Sequence, residues 1–126
     1  MISFDRFVPE DNLPIYLQIL GFIKRGIVAG TITDGDEMPS RRMLSALLGV
    51  NPNTVQKSYA LLEEEGLIRS RTGAKSCVVA DDEAVRRLRQ ELLRDRLLAV
   101  TDEMKQMGMT REEALAALSH YWEVEP

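Results

Sequence analysis

Residues 39–68 read PSRRMLSALLGVNPNTVQKSYALLEEEGLI. Two short helices fit this stretch. Ser40 is a good N-cap, Leu44, Leu47 and Leu48 line one face of the first helix, and Gly49 stops it. Asn51 then caps a second helix with Pro52 at its first position, where the missing N–H costs nothing and the fixed φ suits helix entry. Val55, Tyr59 and Leu62 make its inner face, and Gly66 lies just past its end. Helices this short, joined by so tight a turn, predict a helix-turn-helix. The outer face at the N-terminal end then carries Asn53, Thr54, Gln56 and Lys57. Asn and Gln can bond an adenine edge twice, Thr can use its hydroxyl or pack its methyl on thymine, and Lys can reach guanine or phosphate. Glu63 to Glu65 sit at the opposite end, so charge polarity along the helix gives it an orientation.

Working outward, PIYLQILGFIKRGIVAG (14–30) places Ile15, Ile19, Phe22, Ile23 and Ile27 at helical spacing, with Pro14 suited to a first helical position and Gly30 to a stop. TITDGDEMP (31–39) reads as a turn. After the quoted helices, LIRSRTGAKSCVVA (67–80) changes period: Leu67, Arg69 and Arg71 alternate with Ile68 and Ser70, Thr72 to Lys75 turn, and Ser76 to Ala80 form a second β-prone run. That is a hairpin with the shape of a wing. From Asp81 a long helical pattern carries Leu93, Leu97, Val100, Met104 and Met107 at alternating steps of four and three, a narrow seam made for another helix. Thr110 and Glu113 form a capping box that opens a last helix with Leu115, Leu118, Tyr121 and Trp122.

Composition bounds the partner classes. The chain has 126 residues and a formal charge of −4, which taken whole disfavours nucleic acid. Residues 14–80, however, carry eight Lys/Arg against six Asp/Glu, whereas residues 81–126 carry seven against eleven. The basic residues of the first part bunch at Arg41 and Arg42, at Lys57, and at Arg69, Arg71 and Lys75, three neighbouring elements that together describe one DNA-facing surface. One Cys and one His rule out an internal disulfide and leave no metal cluster to write. No signal peptide or membrane span is visible, which points to a cytoplasmic protein with no membrane partner. A Gly-rich phosphate loop, a Ser/His/Asp set and a paired-carboxylate pocket are all missing, so neither an enzyme nor a cofactor is expected.

PIYLQI, GDEMPSRRMLSALLGVNPNTVQKSYALLEEEGLI and the RTGAK hairpin resemble the winged helix-turn-helix of GntR-family bacterial transcription regulators, whose pattern runs PxYxQI, PSxRxLA, GVxxxTVxxAxxxLExxGLI. The short two-helix tail is similar to that of the YtrA-type subgroup, which lacks larger effector domains and dimerises through the tail. The resemblance implies DNA contacts at Arg42, Asn51, Asn53, Thr54, Gln56 and the wing tip Gly73. Arg41, Lys57, Arg71 and Lys75 are added from charge and placement. The sequence departs from the pattern at Lys75, where glycine is frequent, at Cys77, where an aromatic is, and at Ser58, where alanine is common.

The expected fold is therefore mainly α with a small β-hairpin: a winged helix-turn-helix over residues 1–80 and a helical-hairpin dimerisation region over 81–126. The expected dimer interface comprises Leu93, Leu97, Val100, Met104, Met107, Leu115, Leu118 and Trp122. The expected function is that of a repressor binding a palindromic double-stranded DNA operator as a homodimer, with room for a small-molecule effector near the interface. A winged helix used only for protein contact is the alternative, but it would not need basic residues on all three elements. Arg41 could instead pair with Asp36 or Glu37, and Cys77 reads as an ordinary strand residue.

Overall fold

The computed structural model describes residues 1–71 and 75–125, the side chain of Arg71 excepted. Its elements run α1 (Ile15–Ala29), α2 (Arg41–Leu48), α3 (Pro52–Glu64), β1 (Ile68–Arg71), β2 (Lys75–Val78), α4 (Asp82–Gln106) and α5 (Arg111–Trp122). They form two compact units, Met1–Arg89 and Gln90–Pro126.

In the first unit the three helices pack around Ile19, Ile23 and Ile27 of α1, Leu44 of α2, and Val55, Tyr59 and Leu62 of α3. Burying such side chains stabilises by about 1.5–3 kcal/mol each, which fixes the inner face of every helix. The caps are those the sequence predicts. Ser40 Oγ accepts from the Met43 N–H, Asn51 Oδ1 accepts from the Asn53 N–H, and Gly30 and Gly49 close α1 and α2 in the left-handed conformation. Pro14 differs by one position: it is the cap of α1, and its carbonyl accepts from Leu17 and Gln18.

Three expectations are corrected, two of them about burial. Leu47 is exposed, because α2 is only eight residues long and turns Leu44 and Ser45 inward; Ser45 donates its hydroxyl to the Val50 carbonyl at 2.6 Å across the turn. Leu67 and Ile68 are both buried rather than alternating. Leu67 precedes the strand and is still tied to α3 through its N–H to Leu62, whereas Ile68 faces inward from β1 opposite Val78. The stretch expected as a plain turn also extends the hairpin: Glu37 bridges to Cys77, Met38 N–H donates to Ser76, and Val78 N–H donates to Asp36.

The first 13 residues, on which the sequence showed no pattern, complete this unit. Ile2 N–H donates to the Glu37 carbonyl at 3.0 Å, and Phe4 is buried with its ring stacked 4.9 Å from that of Phe22. Gln18, on the buried side of α1, clasps the segment. Its Nε2 donates to the carbonyls of Glu10 (2.8 Å) and Leu13 (2.6 Å), and its Oε1 accepts from the Glu10 N–H at 2.7 Å. At the other end of the unit, Leu88 of α4 is buried and Arg89 donates to the Val28 carbonyl.

The second unit contains the remainder of α4 and α5, joined through Gly108 at φ 76°. The capping box is present: Thr110 Oγ1 accepts from the Glu113 N–H, and Glu113 Oε1 accepts from the Thr110 N–H. Hydrogen bonds from the Thr110 backbone and then its side chain hold the Glu113 carboxyl below its ordinary pKa. Its contribution to the cap is thus present above the carboxylate range and lost as pH falls through it. No α5 residue is buried, and Leu93, Leu97, Val100, Met107, Leu115, Leu118 and Trp122 are all exposed in the single chain, with Met104 half-buried.

Replacing Gln18 with Ala removes three hydrogen bonds and strands the Glu10 N–H and two carbonyls. Each net bond contributes about 0.5–1.5 kcal/mol, so a loss of about 2–3 kcal/mol is expected in urea unfolding, with faster proteolysis within residues 1–13. Unchanged stability would show that the clasp is incidental.

Candidate nucleic-acid interface

The outward stripe of α3 follows from its inward one. With Val55, Ser58, Tyr59 and Leu62 buried, Asn53, Gln56, Lys57 and Ala60 are exposed along one line three and four residues apart. Thr54 stands at the edge of this stripe, half-buried. Asn51 is exposed, but its Oδ1 is already used as the cap at 2.8 Å, which leaves its amide nitrogen as the group available to a ligand. The stripe therefore presents side-chain amides and an ammonium around a helix N-terminus, where the backbone adds positive potential.

Tyr59 ties α2 to this helix. It is fully buried, and its hydroxyl donates to the Pro39 carbonyl at 2.6 Å, fixing the turn from which α2 starts. Burial pushes its phenol well above the ordinary tyrosine value, with Arg41 pulling weakly the other way, so it remains a neutral donor. The Arg41 guanidinium lies over the same ring, its Cζ 4.9 Å from the centroid, and its Nε is buried without a hydrogen-bond partner. The expected alternative, pairing of Arg41 with Asp36 or Glu37, is absent: Asp36 accepts from the Thr33 N–H, and Glu37 faces Lys75 at 3.6 Å. Arg42, the next residue, is exposed in the first turn of α2.

The wing contributes less than expected. Lys75 is exposed but shared with Glu37, a pair open enough to contribute little and to yield readily. Arg69 is exposed and stands directly across the hairpin from Cys77. Arg71 pairs with Lys75 through the backbone; its side chain and Gly73 at the tip lie outside the described residues.

Sequence reasoning missed the groups that hold α3 from behind. Lys24 Nζ meets Glu65 at 2.7 Å, and the Ser70 hydroxyl donates to Glu63 at 2.8 Å, so two of the three glutamates at the far end anchor the helix to α1 and β1. It also assigned no contact to Tyr16, whose ring lies 4.0 Å beneath the Lys57 ammonium. These two contacts of α1, with α3 and with its C-cap, both join residues 41 apart (16 with 57, 24 with 65), and this register is visible only once the two helices are aligned side by side. Among the described residues no cluster of three or more His, Cys, Asp or Glu could hold a metal, and no helix is long and apolar enough to cross a membrane.

Comparison with known proteins shows the family of the chain. The profile of the gntR family of bacterial regulatory proteins matches residues 15–78, from the start of α1 to the end of β2. The chain belongs to the GntR family. It is 33% identical over 114 residues to the HTH-type transcriptional regulator YhcF of Bacillus subtilis, covering 90% of this chain and 94% of that protein. It is 31% identical to the HTH-type transcriptional repressor YtrA of the same organism, covering 97% and 88%. A GntR-family regulator from Listeria monocytogenes superposes with a TM-score of 0.82 at 32% identity over 89% of this chain and 98% of that one. The DNA-binding domain of AraR, solved in complex with operator ORR3, superposes with a TM-score of 0.50 at 29% identity over 57% and 87%. As a family member the chain is a DNA-binding transcriptional regulator of winged helix-turn-helix fold, and not an enzyme.

The cap and the candidate DNA face can be separated at Asn51. Asn51→Asp keeps the cap acceptor and favours the helix dipole, so thermal stability should be held while affinity for duplex DNA falls at least about tenfold from charge repulsion near phosphates. Equal affinity would place Asn51 away from the backbone.

Proposed function

We propose that this regulator is a homodimeric repressor of the YtrA type that reads a palindromic operator with the exposed stripe of α3. The observation that supports this most is the pairing of Asn53 and Gln56 on one exposed line beside Lys57, all at the start of a helix whose far end is anchored to α1 and β1. Amides at this position suit base edges in the major groove, and Arg42, Arg41 and Lys57 suit phosphates. Thr54 packs at the edge of the readout, and Arg71, Gly73 and Lys75 serve the flanking backbone or minor groove. The operator complex of the AraR domain and the repressor role of Bacillus YtrA support extending the same actions to this chain. A bacterial operator as partner implies the cytoplasm.

The second copy is argued from the tail. Leu93, Leu97 and Val100 are exposed on α4, and Gln90, Leu93, Arg94, Leu97, Leu98 and Thr101 line an open groove of about 430 Å³ along it. Leu115, Leu118 and Trp122 are exposed on α5. So much apolar surface on one appendage is costly in water and fits an interface between copies. A small-molecule effector would act at this seam, by changing the separation of the two recognition helices.

Two outcomes are expected. On the duplex recovered by selection from a random pool, Asn53→Ala or Gln56→Ala should cost about 1–3 kcal/mol and relax preference at one base; equal loss on random DNA would mean that these residues position rather than read. In sedimentation, Leu97→Asp should convert a dimer into a monomer and abolish operator binding at the same time. A monomer that still binds tightly would overturn the tail assignment.

A further inference from the structure

Four cations of the first unit are held in two different ways. Lys24 and Lys75 meet carboxylates, at 2.7 Å from Glu65 and 3.6 Å from Glu37. Lys57 and Arg41 instead lie over tyrosine rings, 4.0 Å above Tyr16 and 4.9 Å above Tyr59, and among the described residues neither has a carboxylate oxygen within 4.0 Å. The distinction has a physical consequence. A carboxylate restrains a cation by neutralising it, so an incoming phosphate must displace it. A ring face restrains a cation through its quadrupole and leaves the net charge intact.

Position agrees with this division. Lys24 and Glu65 meet just past the C-terminal end of α3, remote from the amide stripe. Lys57 sits on the stripe, one turn from Asn53. Tyr16, in the first turn of α1, is half-buried, so the packing around it limits the positions open to its ring and to the Lys57 ammonium above it. A lysine that would otherwise lose rotamer freedom on binding has part of that loss already met in the free protein. Arg41 repeats the arrangement on a ring that is itself immobilised through the Pro39 carbonyl.

We propose that Tyr16 is a positioning residue for DNA: its ring holds Lys57 as an un-neutralised, pre-ordered cation for a backbone phosphate. This rests on the DNA-facing role of α3 proposed above.

The test is a double-mutant cycle on the full chain, read as affinity for a random-sequence duplex and for the selected duplex over a range of salt. Tyr16→Leu should weaken both about two- to fivefold, the range of an exposed cation–π contact, with the slope of log affinity against log salt unchanged because Lys57 still reaches its phosphate. Tyr16→Phe, which keeps the ring, should bind like the parent. Lys57→Ala should reduce the slope by about one, and Tyr16→Leu added to it should cost nothing more. Tyr16→Phe losing as much as Tyr16→Leu, or Tyr16→Leu costing the same with and without Lys57, would overturn the proposal. So would an unchanged slope for Lys57→Ala, a measurement that stands whether or not Tyr16→Leu folds. Failure of the underlying reading looks different: Asn53→Ala and Gln56→Ala would then leave the selected duplex bound as before.

Discussion

The candidate DNA face of this protein depends on one buried phenol. Tyr59 has no exposure, donates its hydroxyl to Pro39 and carries Arg41 on its ring, so a single side chain of α3 sets where α2 begins and where its first cation lies. A helix-turn-helix needs its two helices in a fixed relation, because the first crosses the backbone while the second reads the groove. Apolar packing of Leu44 against α3 supplies adhesion but little register. The directional bond to Pro39 supplies register, and its cost of burial is met because the hydroxyl is satisfied.

The chain is acidic overall, yet it presents a basic, amide-rich face, and the structure shows how these coexist. Two of the three glutamates at the far end of α3 are engaged behind it: Glu65 by Lys24, Glu63 by Ser70. These contacts keep both carboxylates at the end of the helix opposite the N-terminal stripe. Over a screening length of about 8 Å at physiological salt, what matters to a phosphate is the local arrangement at Asn53, Gln56 and Lys57, and not the total of −4.

Much of this was legible in the sequence, for a definable reason. Caps, helix faces and the hairpin are local: Ser40, Asn51, Pro52 and Gly49 act within a few residues, and the period of Val55, Tyr59 and Leu62 is written in the chain itself. Leu47 escaped because an eight-residue helix has too few turns for periodicity to separate an inner from a flanking position. The Gln18 clasp, the Glu37 bridge to Cys77 and the Tyr16–Lys57 contact escaped because each joins residues whose proximity exists only after packing. At the site, the residue types proposed to touch DNA could be named from chemistry. The residues proposed to position them could not, since a buried tyrosine and a half-buried one look like ordinary core in one dimension.

The same magnitudes explain why the exposed tail belongs to the function proposed for it. One stripe offers two amides and a lysine, and at about 1–3 kcal/mol of discrimination for each good base contact a single copy reading one half-site would separate its target only modestly from the surrounding genome. Joining two copies doubles the discrimination free energy, and so squares the preference, without adding a contact to either half. It also makes the second half-site encounter intramolecular. A small reading head therefore requires a strong joint, and the apolar side chains exposed from Leu93 to Trp122 are the part of this chain chemically suited to supply one.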